Sequence, residues 1–139
     1  MANENSSKVA LPPTNAQRAV MAVVAPVAGW LIPGAGHLIQ KRWGRGILLL
    51  LAIGALFLVG LGQQGKLYGF NTGDLLDILG FLGDVGAGLL YAGARMTDLG
   101  QGAVHRATAD YGTKFMIVAG LLNIVSAIDA YHIAIRKKP

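Results

Sequence analysis

The run Ile47-Leu48-Leu49-Leu50-Leu51-Ala52-Ile53-Gly54-Ala55-Leu56-Phe57-Leu58-Val59, continuing to Leu61, constrains this chain more than any other feature. It carries no charge and no alternation of polar and apolar residues, and it approaches the length of about 20 residues that crosses a bilayer core. A second uncharged stretch lies between Arg18 and Lys41. Hydrocarbon offers backbone amides no water, so segments of this kind exist there only as helices or closed barrels. Composition points the same way. Charged residues make up 14% of the 139-residue chain, whereas soluble domains average about 25%. A soluble enzyme and a disordered chain are both poor fits. With no cysteine, disulfides and thiolate metal sites are excluded.

The expected fold is all-α: an integral membrane helical bundle of about four transmembrane helices, near 18–39, 47–62, 74–95 and 113–135. Residues 1–17 read as a polar N-terminal tail and 18–139 as a single transmembrane helical domain. A signal peptide is opposed by Glu4 standing ahead of Lys8. The first span contains Pro26, Pro33, Gly29, Gly34 and Gly36, which predict a kink or break at Pro26 or around Pro33 to Gly36. Met96 to Gly112 reads as a glycine-rich loop. Gly34-Ala35-Gly36 echoes Gly86-Ala87-Gly88, too short a match to establish a repeat.

Basic residues flank the spans. Lys41, Arg42, Trp43 and Arg45 form one membrane-interface cluster, and Arg136, Lys137 and Lys138 another. In a four-span arrangement Lys8, Arg18, Lys66, Arg136, Lys137 and Lys138 fall on one side. Lys41, Arg42, Arg45, Arg95, Arg106 and Lys114 fall on the other, so orientation stays open at six against six. If segment 19–39 re-enters, or segment 74–95 lies in the interface, both clusters come to one face. Three basic residues beside a span make too thin a footprint for nucleic acid.

The third segment carries aspartates. On one continuous helix Asp77, Asp84, Gly88, Tyr91 and Arg95 share a side, with Asp74 at its edge. A lipid-facing carboxylate at mid-membrane costs at least about 2.5–3.5 kcal/mol, so Asp84 must face protein or water. Its expected partners are Asn123 and Ser126 on the last segment. Asp129 and His132, three residues apart there, form a minimal acid–base pair or cap the end of a span. No serine or cysteine completes a catalytic site, so the reading is non-enzymatic. His37, His105 and His132 are scattered, and no cofactor or metal is expected. The glycine triplets lack phosphate-loop context.

Leu31-Ile32-Pro33-Gly34-Ala35-Gly36-His37, followed by Leu38-Ile39-Gln40-Lys41-Arg42-Trp43-Gly44-Arg45-Gly46, resembles the Pro-Gly-x-Gly-His signature of bacterial proteins related to the two-transmembrane-helix domain. Ile128-Asp129-Ala130-Tyr131-His132 looks like the second half of that pattern. With Gly83-Asp84-Val85-Gly86-Ala87-Gly88-Leu89, Tyr111-Gly112 and Ala119-Gly120-Leu121-Leu122-Asn123, the chain resembles an uncharacterised family of four-span membrane proteins of acidobacterial type. The resemblance implies a multi-pass protein of the bacterial cytoplasmic (inner) membrane and assigns no catalytic residue. Its expected partners are the lipid bilayer and other membrane subunits or itself. The leading functional expectation is a structural or accessory subunit of a larger membrane complex. The alternative is a small oligomeric transporter or channel using Asp84.

Overall fold

The computed structural model describes residues 11–70, 73–101 and 107–135, and every regular element among them is helical. The elements are α1 (Asn15–Leu31), α2 (Ala35–Ile39), α3 (Trp43–Gly62), α4 (Leu75–Val85), α5 (Leu89–Met96) and α6 (Ala107–Ala134). Two helices, α3 and α6, are long and apolar enough to cross a membrane, and the bent pair α4 and α5 is a third candidate if taken as one span. The expected segments 18–39 and 74–95 are each divided into two shorter helices.

Thr14 starts α1 with a capping box. Its hydroxyl accepts from the Gln17 amide, and the Gln17 side chain accepts from the Thr14 amide. The helix continues through Pro26 and ends at Leu31, so the expected break falls at Ile32 to Gly34. Pro33 cannot carry the helix on. Gly34, at φ +80°, turns the chain into α2, in a position where a Cβ would overlap the Gly46 carbonyl. The second break is built alike. Gly86 caps α4, and Gly88, at φ +62°, opens α5 at an angle of 106° to α4. The two glycine triplets that echo each other in sequence thus sit at the two helix breaks.

Helix α6 is the axis on which the others pack. Ile53 and Phe57 of α3 are buried in one apolar cluster with Met116 and Ala119 of α6. Gly60 of α3 meets Gly112 and Met116, where a side chain would strike the Gly112 carbonyl. Ala25 and Met21 of α1 pack with Ala130 and Ala134 of α6, while Gly29 lies beside Ala127. Helix α1 therefore runs antiparallel to the C-terminal half of α6. Its end reaches Asn123, which lies about 17 Å along the axis from Ala134 and about 24 Å from Ala107 at 1.5 Å per residue. Helix α2 folds back on α1, bringing Gly36 against Ala25 and Ala130.

Helix α4 approaches the same level from the other end. Gly83 packs on Ile117 and Gly86 on Gly120 and Ile124, so α4 runs parallel to α6. After the break the chain returns to where it entered. The Tyr91 hydroxyl donates to the Tyr68 carbonyl, Leu67 N donates to Gly100 O, and Lys66 pairs with Gln101 in an antiparallel bridge.

Candidate functional site: a polar line along helix 6

Asn123, Ser126 and Asp129 recur every third residue on α6, which places them on one side of the helix, one turn apart. Asn123 is fully buried. Its amide donates to Trp30 O at 2.8 Å and Gly86 O at 2.9 Å, carbonyls at the ends of α1 and α4 that lack a partner within their own helices. The Trp30 indole donates to Val85 O at 3.1 Å, and Gly88 lies so close to Trp30 O that a Cβ would overlap it. Both helix breaks are thus joined tip to tip at one residue of α6.

Toward the C-terminal end of α6, His37 is buried, and its Nε2 lies 3.1 Å from Asp129 Oδ2. An ionised carboxylate only accepts, so Nε2 is the donor in this bond. The exposed Arg45 guanidinium stands 3.8 Å from the same oxygen. Gln40 ties α2 to this end of α6 through bonds to Gly36 O and Ala130 O. A cavity of about 410 Å³ opens here, lined by His37, Ser126, Asp129 and His132 on its polar side and by Leu49, Leu122 and Val125 among its apolar walls. The histidine bonded to Asp129 here is His37 of α2, and His132 lines the same cavity.

Asp84 is buried at the level of Gly120. Its Oδ2 accepts from Tyr68 N at 2.8 Å, not from the expected Asn123 or Ser126. The single helical face expected for Asp77, Asp84, Gly88, Tyr91 and Arg95 does not exist, because the chain turns by 106° between Asp84 and Tyr91. Tyr91 still comes near Asp84 by a different route, since both hold the backbone of Tyr68. Arg95 is exposed in the last turn of α5, and Asp77 is half-buried in the first turn of α4. The Tyr68 phenol is pushed above its ordinary value, first by burial and then by the carboxylates of Asp77 and Asp84, so it stays protonated at neutral pH.

Four buried side-chain atoms along this line have no hydrogen-bond partner among the described residues: His37 Nδ1, Ser126 Oγ, Asn123 Oδ1 and Asp84 Oδ1. Lys41, Trp43 and Arg45 are exposed at the turn between α2 and α3, with Arg42 half-buried beside them. Arg136, Lys137, Lys138 and His105 lie outside the described residues. Sequence reasoning missed His37 as the partner of Asp129 and the Tyr68 backbone as the partner of Asp84. Neither contact has a periodic signal, because each joins a helix to a distant segment.

No curated protein and no solved structure matches the chain. A family model does, over residues 24–139, and that stretch holds both helix breaks, Asn123 and the His37–Asp129 pair: the chain belongs to a family of unknown function, DUF6677.

Proposed function

We propose that this chain is a multi-pass membrane protein whose polar line along α6 passes protons between the two membrane faces, with Asp84 as the protonatable group at mid-depth. One observation carries the reading. Buried polar atoms in native structures nearly always have partners, and leaving one unmade costs about 1–3 kcal/mol. Here four such atoms are buried in the same bundle: Ser126 and Asn123 on α6, His37 across the cavity from Ser126, and Asp84 on α4, two residues before the Gly86 carbonyl that Asn123 caps. Ionisable groups at membrane depth are rare, face the protein interior or a water-filled cavity, and are found along ion pathways and proton relays. Two interrupted helices meeting near the midplane also match the way transporters place their sites. In this reading His37 and Asp129, beside the cavity, form the port at one end, Asp84 stands at mid-depth, and the Tyr68 connection bonded to it leads toward the other end.

The test is reconstitution into potassium-loaded liposomes containing a pH-sensitive dye, with valinomycin imposing an inside-negative potential. Proton entry well above that of protein-free vesicles is expected, and its loss in Asp84→Asn. Flux equal to that of empty vesicles would overturn the reading.

A second reading, as an accessory subunit of a larger inner-membrane complex, is favoured by Gly44, Gly54 and Gly62 of α3. Side chains built at these glycines would meet nothing within 4 Å, leaving room for another helix to approach closely. Blue-native electrophoresis with mass spectrometry of the co-migrating chains tests it. Migration as a homo-oligomer alone counts against it.

A further inference from the structure

We infer that the chain crosses the membrane only twice, through α3 and α6, and that α1–α2 and α4–α5 are half-spanning hairpins entering from opposite faces, with the α1–α2 face held against the anionic lipid of the cytoplasmic leaflet. The inference rests on the membrane reading above and not on proton passage.

The path of each hairpin is fixed by contacts at its feet and tip. For α1–α2, the feet are at the C-terminal end of α6: Ala25 packs with Ala130 and Ala134, and Gln40 donates to Ala130 O. The tip, at Trp30 and Leu31, reaches Asn123 and turns back. For α4–α5, the feet are at the N-terminal end of α6. The connection before α4 is tied there by Lys66 N donating to Thr113 Oγ1, and the connection after α5 returns to it through Leu67 and Gly100. Its tip, Gly86 to Gly88, meets Trp30 and Asn123. Backbone that leaves the helix at membrane depth is tolerated only when buried in protein. Asn123 and the Trp30 indole supply that cover by capping the exposed carbonyls.

This path changes the count of charges. Arg18, Lys41, Arg42 and Arg45 stand at the end where α6 finishes, and Arg136, Lys137 and Lys138 follow α6 in the sequence. With Lys8 ahead of α1, eight of the twelve lysines and arginines belong to this face. Lys66, Arg95, Arg106 and Lys114 belong to the other. A two-to-one excess close to the spans orients a membrane protein with the basic side in the cytoplasm, where anionic headgroups attract it. Trp43, exposed among these residues, suits the headgroup level.

The chain has no cysteine, so single-cysteine variants report one position each. Ala16→Cys and Gly44→Cys bracket the first hairpin, and Gly62→Cys and Met96→Cys bracket the second. All four positions are exposed, and the two glycines have open space around them. Each is treated with a membrane-impermeant maleimide in spheroplasts of an expressing bacterium and again after lysis. Gly62→Cys and Met96→Cys are expected to label in intact spheroplasts, and Ala16→Cys and Gly44→Cys only after lysis. Ala16→Cys and Gly44→Cys on opposite faces, or Gly62→Cys and Met96→Cys on opposite faces, would replace a hairpin by a full span and overturn the inference. Labelling of the first pair from outside would overturn the orientation.

Discussion

His37 Nε2 and Asp129 Oδ2 lie 3.1 Å apart across 92 positions of sequence, and this bond fastens the short helix after the first break to the last helix of the chain. Removing the carboxylate strands a buried imidazole donor. Asp129→Leu is therefore expected to lower stability by about 1–3 kcal/mol, while Asp129→Asn, whose amide oxygen still accepts, stays close to wild type. Arg45 is exposed and 3.8 Å away, so Arg45→Gln should cost under about 1 kcal/mol. Thermal unfolding in detergent, compared across the three variants, checks the order.

Asn123 and Ser126 are neighbours on α6 with opposite energetics. Asn123 satisfies two carbonyls at helix ends, and Ser126 Oγ has no protein partner among the described residues. Interhelical hydrogen bonds in membranes average about 0.6 kcal/mol, with the strongest near 1.7. Asn123→Ala, losing two, is expected to cost about 1–2 kcal/mol. Ser126→Ala should be nearly neutral in stability and should slow proton flux. Denaturation of α6-packed material in mixed micelles measures the first, and the liposome assay measures the second.

The helical class, the apolar runs and the break at Pro33 to Gly34 were legible because each has a local cause: no charge over a span length, or a missing amide beside a residue free to take positive φ. The burial of Asp84, Asn123 and Ser126 was legible too, since polar groups inside such runs must turn away from lipid. What they bond to was not. Reading 74–95 as one helix put Tyr91 and Arg95 on the face of Asp84, and only the turn at Gly86 to Gly88 removes them from it. The echo of Gly34-Ala35-Gly36 in Gly86-Ala87-Gly88 held that information, but three residues among 20 glycines cannot be told from chance.

The two breaks make a paired prediction. Gly88 has φ +62° and touches the Trp30 carbonyl, so Gly88→Ala strains the backbone and pushes the two tips apart. A loss of about 2 kcal/mol or more is expected. Gly93, inside α5 with open space around its Cα, should instead gain about 0.5–1 kcal/mol on Gly93→Ala. Opposite signs in thermal unfolding check the conformation at the break, because a straight helix through both positions would gain from both substitutions.

Asp84 separates structure from transport. Its Oδ2 accepts the Tyr68 amide at 2.8 Å, a bond that an asparagine oxygen can also take. Asp84→Asn is thus expected to fold within about 1 kcal/mol of wild type, whereas Asp84→Leu leaves the Tyr68 amide unmet and costs about 1–3 kcal/mol. Proton flux should fall to the empty-vesicle level in both, because neither side chain titrates. Size-exclusion profiles and unfolding midpoints measured beside the flux assay tell the outcomes apart. A stable Asp84→Asn that still conducts would mean that the carboxylate serves to hold Tyr68 and the α4 tip in place. An Asp84→Leu more stable than wild type would mean that the carboxylate contributes nothing to packing, which the buried bond to Tyr68 opposes.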